Sequence, residues 1–131
     1  MKEIGSVKED LATEKRISVT PEITKKFTAL GFSINIEKDY AKHLDISDEE
    51  YKKNGANINI SKEKVFEKSS IILKVSGPSK NEINLIKNES ILISQFDPKL
   101  YQDTINKFIE KGIKIFSLNL LPRITRAQSM D

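Results

Sequence analysis

Short runs of β-branched and aliphatic residues alternate with helix-period segments from one end of this 131-residue chain to the other. That alternation constrains the fold more than any other feature. Residues 3–7, 33–37, 57–60, 70–75, 90–94 and 114–117 read as strands. Most are short and continuously apolar, as suits a parallel sheet buried on both faces. Helix signals lie between them. Thr20 followed by Pro21 is an N-cap with proline in the first turn, Ile23, Phe27 and Leu30 mark one face, and Gly31 ends the segment. Ser47-Asp48-Glu49-Glu50 reads as a capping box with Gly55 as its stop, and Ser79 with Glu82 repeats the box before Ile83, Leu85 and Ile86. The longest helix is expected over residues 98–111, burying Leu100, Tyr101, Ile105, Phe108 and Ile109 and ending at Gly112.

Strand–helix alternation with short connections predicts an α/β fold, an open and mostly parallel sheet with helices on both faces, of the flavodoxin-like or Rossmann-like three-layer kind. Ligands of such sheets bind beyond the carboxyl ends of the strands. Lys74, Asp97 and residues 119–131 all come at or after strand ends, and Arg16 lies in the loop after the first strand. Topology alone therefore gathers these residues at one rim.

Composition excludes several classes of function. The 37% hydrophobic content suffices for one core. The pI of about 9.0 invites a nucleic-acid reading, but the lysines are interleaved with acids, as in Lys8-Glu9-Asp10 and Glu49-Glu50-Tyr51-Lys52-Lys53. Such patterns are solvated mixed-charge faces rather than a basic, aromatic-bearing track, and nucleic acid is not expected as a partner. With no cysteine, disulfides and thiolate chemistry are excluded. No apolar run approaches the ~20 residues that span a bilayer, and the N-terminus lacks a signal-peptide core. The chain is expected to be cytoplasmic, reaching a membrane only through partners.

Glycine is scarce, at positions 5, 31, 55, 77 and 112. None of these forms the Gly-x-Gly-x-x-Gly turn that lets backbone approach a pyrophosphate, so the chain is expected to lack a dinucleotide cradle of its own.

The last ten residues, Pro122-Arg123-Ile124-Thr125-Arg126-Ala127-Gln128-Ser129-Met130-Asp131, hold two of the three arginines and no aliphatic stripe. Arginine among so many lysines points to use of its planar fork. This block resembles the nicotinamide-contacting loop of the proton-translocating NAD(P) transhydrogenase alpha subunit. Thr13-Glu14-Lys15-Arg16-Ile17-Ser18-Val19-Thr20-Pro21 resembles an opening block common to transhydrogenases and alanine dehydrogenases, and Ile71-Ile72-Leu73-Lys74-Val75 followed by Pro78 resembles a second. Three ordered blocks place residues 1–131 with the N-terminal domain of that family, as an incomplete domain with the NAD-binding Rossmann domain expected after residue 131.

The resemblance implies that Arg123, Gln128 and Asp131 contact the nicotinamide end of NAD(H), with Thr125, Arg126 and Ser129 as supports. It implies NADP(H) on a partner component, a membrane domain or subunit that moves protons, and a homodimer. In alanine dehydrogenases the residues matching Arg16 and Lys74 hold the substrate carboxylate and carbonyl; from the sequence itself, Arg16 reads equally as a surface ion pair. Those enzymes also use a histidine after the fifth strand, where this chain has Ile93-Ser94-Gln95-Phe96-Asp97-Pro98. The single histidine, His43, lies far upstream and reads as a surface residue. An alanine dehydrogenase domain and a non-catalytic α/β binding module are the alternatives.

Overall fold

A computed structural model describes residues 2–95 and 104–117. The chain alternates strand and helix in the order β1 (Glu3–Ser6), α1 (Pro21–Ala29), β2 (Ser33–Glu37), α2 (Asp48–Lys53), β3 (Asn57–Asn59), α3 (Lys62–Lys68), β4 (Ile71–Ser76), α4 (Lys80–Leu85), β5 (Ile91–Gln95), α5 (Ile105–Lys111) and β6 (Lys114–Ser117), with a 3₁₀ turn at Lys42–Leu44. All neighbouring strands run parallel, in the order β3-β2-β1-β4-β5-β6. This is the Rossmann order, and the direction of winding reverses between β1 and β4.

Alternate residues of the strands feed two cores, as a parallel sheet covered on both faces requires. Ile4, Ile34 and Ile36 pack with Tyr40, Tyr51 and Val19 beneath α1 and α2. Val7, Ile72 and Leu92 pack on the other face with Val65 and Phe66 of α3, Ile83 of α4 and Phe108 of α5. At Gly5 the sheet and α3 come so close that a Cβ would stand 2.7 Å from Ser69 Cβ and 2.8 Å from Val65 Cγ1.

The caps follow the sequence closely. Thr20 accepts from the Ile23 amide with Pro21 in the first turn, and Ser79 with Glu82 forms a reciprocal capping box. Gly31, Gly55 and Gly112 all take positive φ after their helices. At Ser47 only half of the expected box forms: its hydroxyl accepts from the Glu50 amide, while the Glu50 carboxylate lies 3.8 Å from Lys53 instead.

Two expectations are corrected and one helix is added. Leu30 is the cap residue just beyond α1, where helical spacing no longer aims its side chain, and it is 73% exposed. Ile109 is 69% exposed, because a seven-residue α5 meets the core along one narrow stripe through Ile105 and Phe108. Helix α3 has no counterpart in the sequence reading: its two apolar residues, Val65 and Phe66, are adjacent and make no stripe, and the Ser61 cap is its only signal. The part of the expected long helix at residues 98–103 lies outside the described residues. In β6, Ile115 packs into the core while Phe116 faces the opposite side at 54% exposure, in one row with Ile93 and Leu73.

Candidate functional site

The carboxyl ends of the strands carry the chemistry, and residues 8–20, between β1 and α1, are folded across them. Fixed points hold this loop along its length. At its far end the Tyr40 hydroxyl accepts the amides of Ser18 at 3.1 Å and Val19 at 3.3 Å. Tyr40 in turn bonds Ser6 Oγ at 2.8 Å, and Ser6 donates to the Leu73 carbonyl. Tyr51 donates to the Val19 carbonyl at 2.7 Å. Burial pushes the ionisation of both tyrosines upward, so at neutral pH they remain hydroxyl donors. In the middle, a ring nitrogen of His43 meets the Lys15 carbonyl at 2.8 Å, an exposed contact in keeping with its reading as a surface residue.

At the near end, Glu9 turns inward. Its carboxylate lies 3.2 Å from Lys74 Nζ, and accepts from the amides of Val75 at 2.8 Å and Ser76 at 3.3 Å. Both side chains are almost completely buried, 1% exposed for Glu9 and 3% for Lys74. The network continues: Lys74 Nζ is 3.8 Å from Glu82, whose other oxygen pairs with Lys62 at 3.2 Å. Two lysines and two glutamates therefore balance. At 3.2 Å and an effective dielectric of about 20, the Lys74–Glu9 attraction is about 5 kcal/mol gross. Desolvating two ions cancels most of that, so the pair contributes direction more than net stability.

Two cavities flank this network. One of about 580 Å³ lies over the β1/β4 reversal and is lined by Lys8, Glu9, Glu37, Lys62, Lys74 and Glu82 among others. This is the crevice in which a sheet of this strand order holds a dinucleotide. Here it contains no glycine turn, and Glu9 already takes the two free amides that an anion would use. Its walls carry both signs, Lys8, Lys62 and Lys74 beside Glu9, Asp10, Glu37 and Glu82, so they offer a pyrophosphate no net positive charge. The residues present do not fit that group.

The second cavity, about 340 Å³, opens at the ends of β4 and β5 and is lined by Arg16, Ile17, Leu73, Val75, Ile93 and Gln95 among others. Arg16 is exposed and grips Glu14 with two prongs, Nε to Oε2 at 2.8 Å and Nη2 to Oε1 at 3.0 Å. Nη2 also reaches Gln95 Oε1 at 3.2 Å, and Ser76 Oγ donates to Glu14 at 3.3 Å. The hydrogen bonds from Arg16 pull the Glu14 carboxyl down from 4.5 to about 2. So the ion-pair reading of Arg16 holds, and the pair also ties loop 8–20 to the tips of β4 and β5.

Lys74 borders both rim cavities. It sits near the carboxyl end of β4, and alternation turns it with Ile72 toward α3 and α4, where Glu9 and Glu82 engage it. Arg16 and Lys74 both border the second cavity, but their charges point to different partners. Arg123, Gln128 and Asp131 lie outside the described residues. Glu9 is hidden in the sequence, because Lys8-Glu9-Asp10 reads as a solvated charge run; only its position two residues past the apolar Val7 hints otherwise. Gln95 is visible only as the absence of a histidine. No helix among the described residues is long and apolar enough to cross a membrane.

Known proteins match this arrangement. The family model for the alanine dehydrogenase/PNT N-terminal domain matches residues 5–131. NAD(P) transhydrogenase subunit alpha of Cereibacter sphaeroides is 32% identical over 128 residues, covering 98% of this chain and 24% of that protein. An alanine dehydrogenase of Methanococcus maripaludis is 33% identical over 124 residues, covering 92% of this chain and 33% of that one. Among solved structures, the transhydrogenase from Sinorhizobium meliloti superposes with a TM-score of 0.86 at 33% identity, covering 99% of this chain and 39% of that one. The chain thus spans well under half the length of each of these relatives. Identity alone does not separate the two branches, but matching 127 of 131 residues, 5–131, settles the membership. The chain belongs to the family of N-terminal domains that alanine dehydrogenases and pyridine nucleotide transhydrogenases have in common.

Proposed function

We propose that the chain is the N-terminal portion of the NAD(H)-binding component of a proton-translocating NAD(P) transhydrogenase. In this reading the nucleotide is cradled by a Rossmann domain that follows residue 131, and this domain supplies the facing wall of the cleft. The cavity of Arg16, Val75, Ile93 and Gln95 lies on that wall. Arg123, Gln128 and Asp131 reach the nicotinamide end from the segment after β6. NADP(H) is held by a partner component and proton movement belongs to a membrane partner, to which the chain is peripheral on the cytoplasmic side, as one half of a dimer.

One observation carries the choice between the branches: β5 ends in Gln95, an amide engaged with Arg16, with no imidazole at that tip. Oxidising an amino acid releases protons as well as a hydride and needs a group to take them. Passing a hydride from one nicotinamide ring to another needs the two rings close, aligned and dry, with no proton acceptor at the reacting atoms. A rim of fixed polar clamps suits the second task. Likeness to transhydrogenase alpha subunits supports it too.

The alanine dehydrogenase reading retains support from Arg16 and Lys74, which fill the matching positions, and from the Methanococcus relative. The test is made on the full-length protein. Hydride transfer from NADH to NADP+ in the presence of the NADP-binding component, with no conversion of L-alanine to pyruvate, is the expected result. Steady alanine turnover with NAD+ and no transhydrogenation would transfer the assignment to the other branch.

A further inference from the structure

We infer that Glu9 is a positioning residue for the hydride-transfer cleft, acting from the buried side of β4 through Val75, Ser76 and Glu14 on Arg16. This rests on the functional reading above. The geometry begins with a break in the sheet. Leu73 pairs with Ile93, but Ser76 pairs with Gln95, so three steps along β4 match two along β5. The extra residue is a bulge, which leaves local amides without a ladder partner and re-aims the side chains beside it. Glu9 supplies the missing acceptor for Val75 and Ser76 and the counter-charge for Lys74.

From there a continuous set of contacts leads to the surface. Val75 lines the second cavity. Ser76 Oγ donates to Glu14, Glu14 holds Arg16 with two prongs, and Arg16 meets Gln95 across the cavity mouth. One buried carboxylate therefore fixes both the floor of the cavity and the residue that carries its guanidinium. Stability does not account for such a carboxylate, since a buried ion pair gives little over a well-packed apolar pair. What it provides is a fixed bulge geometry, and hydride transfer is sensitive to misplacement on the ångström scale.

Glu9→Gln is nearly isosteric, but its NH2 opposes the cluster of donors and its charge no longer balances Lys74. In the full-length protein with its NADP-binding partner, Glu9→Gln is expected to lower kcat about 10- to 100-fold, while KM for NADH changes less than about threefold. Glu9→Asp is expected to recover part of the loss. In the double variant with Arg16→Ala, the combined loss is expected to fall short of the product of the two single losses, because part of the Glu9 effect passes through Arg16. Full additivity, an unchanged kcat in Glu9→Gln, or an Arg16→Ala variant with wild-type rate would overturn the inference. Hydrogen exchange separates this outcome from failure of the functional reading. If the wild-type protein transfers no hydride, the reading fails, and the relay is judged by whether Glu9→Gln loosens residues 74–77 and 14–18 together. Loosening confined to residues 74–77 sinks the relay. Should Glu9→Gln not fold, Glu9→Asp carries the same comparisons.

Discussion

Tyr40 and Tyr51 stand edge to face, ring centroids 5.6 Å apart, and hold the two sides of one residue: Tyr40 accepts the Val19 amide and Tyr51 donates to the Val19 carbonyl. Val19 closes the loop that carries Arg16, so this aromatic pair anchors the loop's far end as Glu9 anchors its near end.

Removing either hydroxyl is therefore expected to be felt by the whole fold. Tyr51→Phe leaves the buried Val19 carbonyl unpaired, at a cost of about 1–3 kcal/mol. Tyr40→Phe is expected to cost more, because that hydroxyl serves Ser6 and two amides. Urea unfolding with unchanged m-values checks this order; a Tyr40→Phe protein as stable as wild type would refute it.

Gly5 is expected to tolerate no side chain. Its Cβ would press on Ser69 and Val65 at 2.7 and 2.8 Å, and Gly5→Ala should destabilise by about 1–3 kcal/mol. Adding Val65→Ala makes room on one side, so the double variant should lose less than the sum of the two single losses. Simple additivity in thermal or urea unfolding would locate the strain elsewhere.

The Glu14–Arg16 pair gives a defined acid response. The folded carboxyl titrates at about 2, below its ordinary 4.5, because Arg16 stabilises the anion. A depressed value means the contribution to stability is complete above about 4.5 and is lost as pH falls through about 2. The clamp on β4 and β5 should thus persist at pH values where free glutamates are already protonated. Carbon-13 NMR should find the Glu14 carboxyl still ionised well below pH 4.5, and Arg16→Gln should return it toward the ordinary value. A wild-type midpoint near 4.5 would contradict the pair.

For the segment after β6, Gln128→Ala or Arg123→Ala in the full-length protein is expected to slow hydride transfer by about tenfold or more, with a smaller change in NADH affinity. Stopped-flow rates beside a binding titration separate the two. A variant weakened only in affinity would make the segment a binding element and remove its positioning role.

The sequence by itself determined the frame of this protein. Six strands could be read from local apolar runs, and their parallel pairing from the helices between them. Thr20, Ser79, Gly31, Gly55 and Gly112 marked helix ends, because capping and positive φ are decided within a few residues. It also determined the absence of a glycine cradle and of a histidine beside Gln95. Tertiary structure alone decided where charge is buried. Nothing near Glu9 reveals that it meets Lys74, 65 residues away, or that Lys74 turns inward at a bulge. Helix α3 is signalled in the sequence only by its Ser61 cap, because packing against the sheet, for Val65 beside Gly5, and not periodicity makes Val65 and Phe66 core residues. Leu30 and Ile109 depart from their expected burial for the converse reason: spacing assigns a face, but only the neighbouring layers determine how far along that face burial extends.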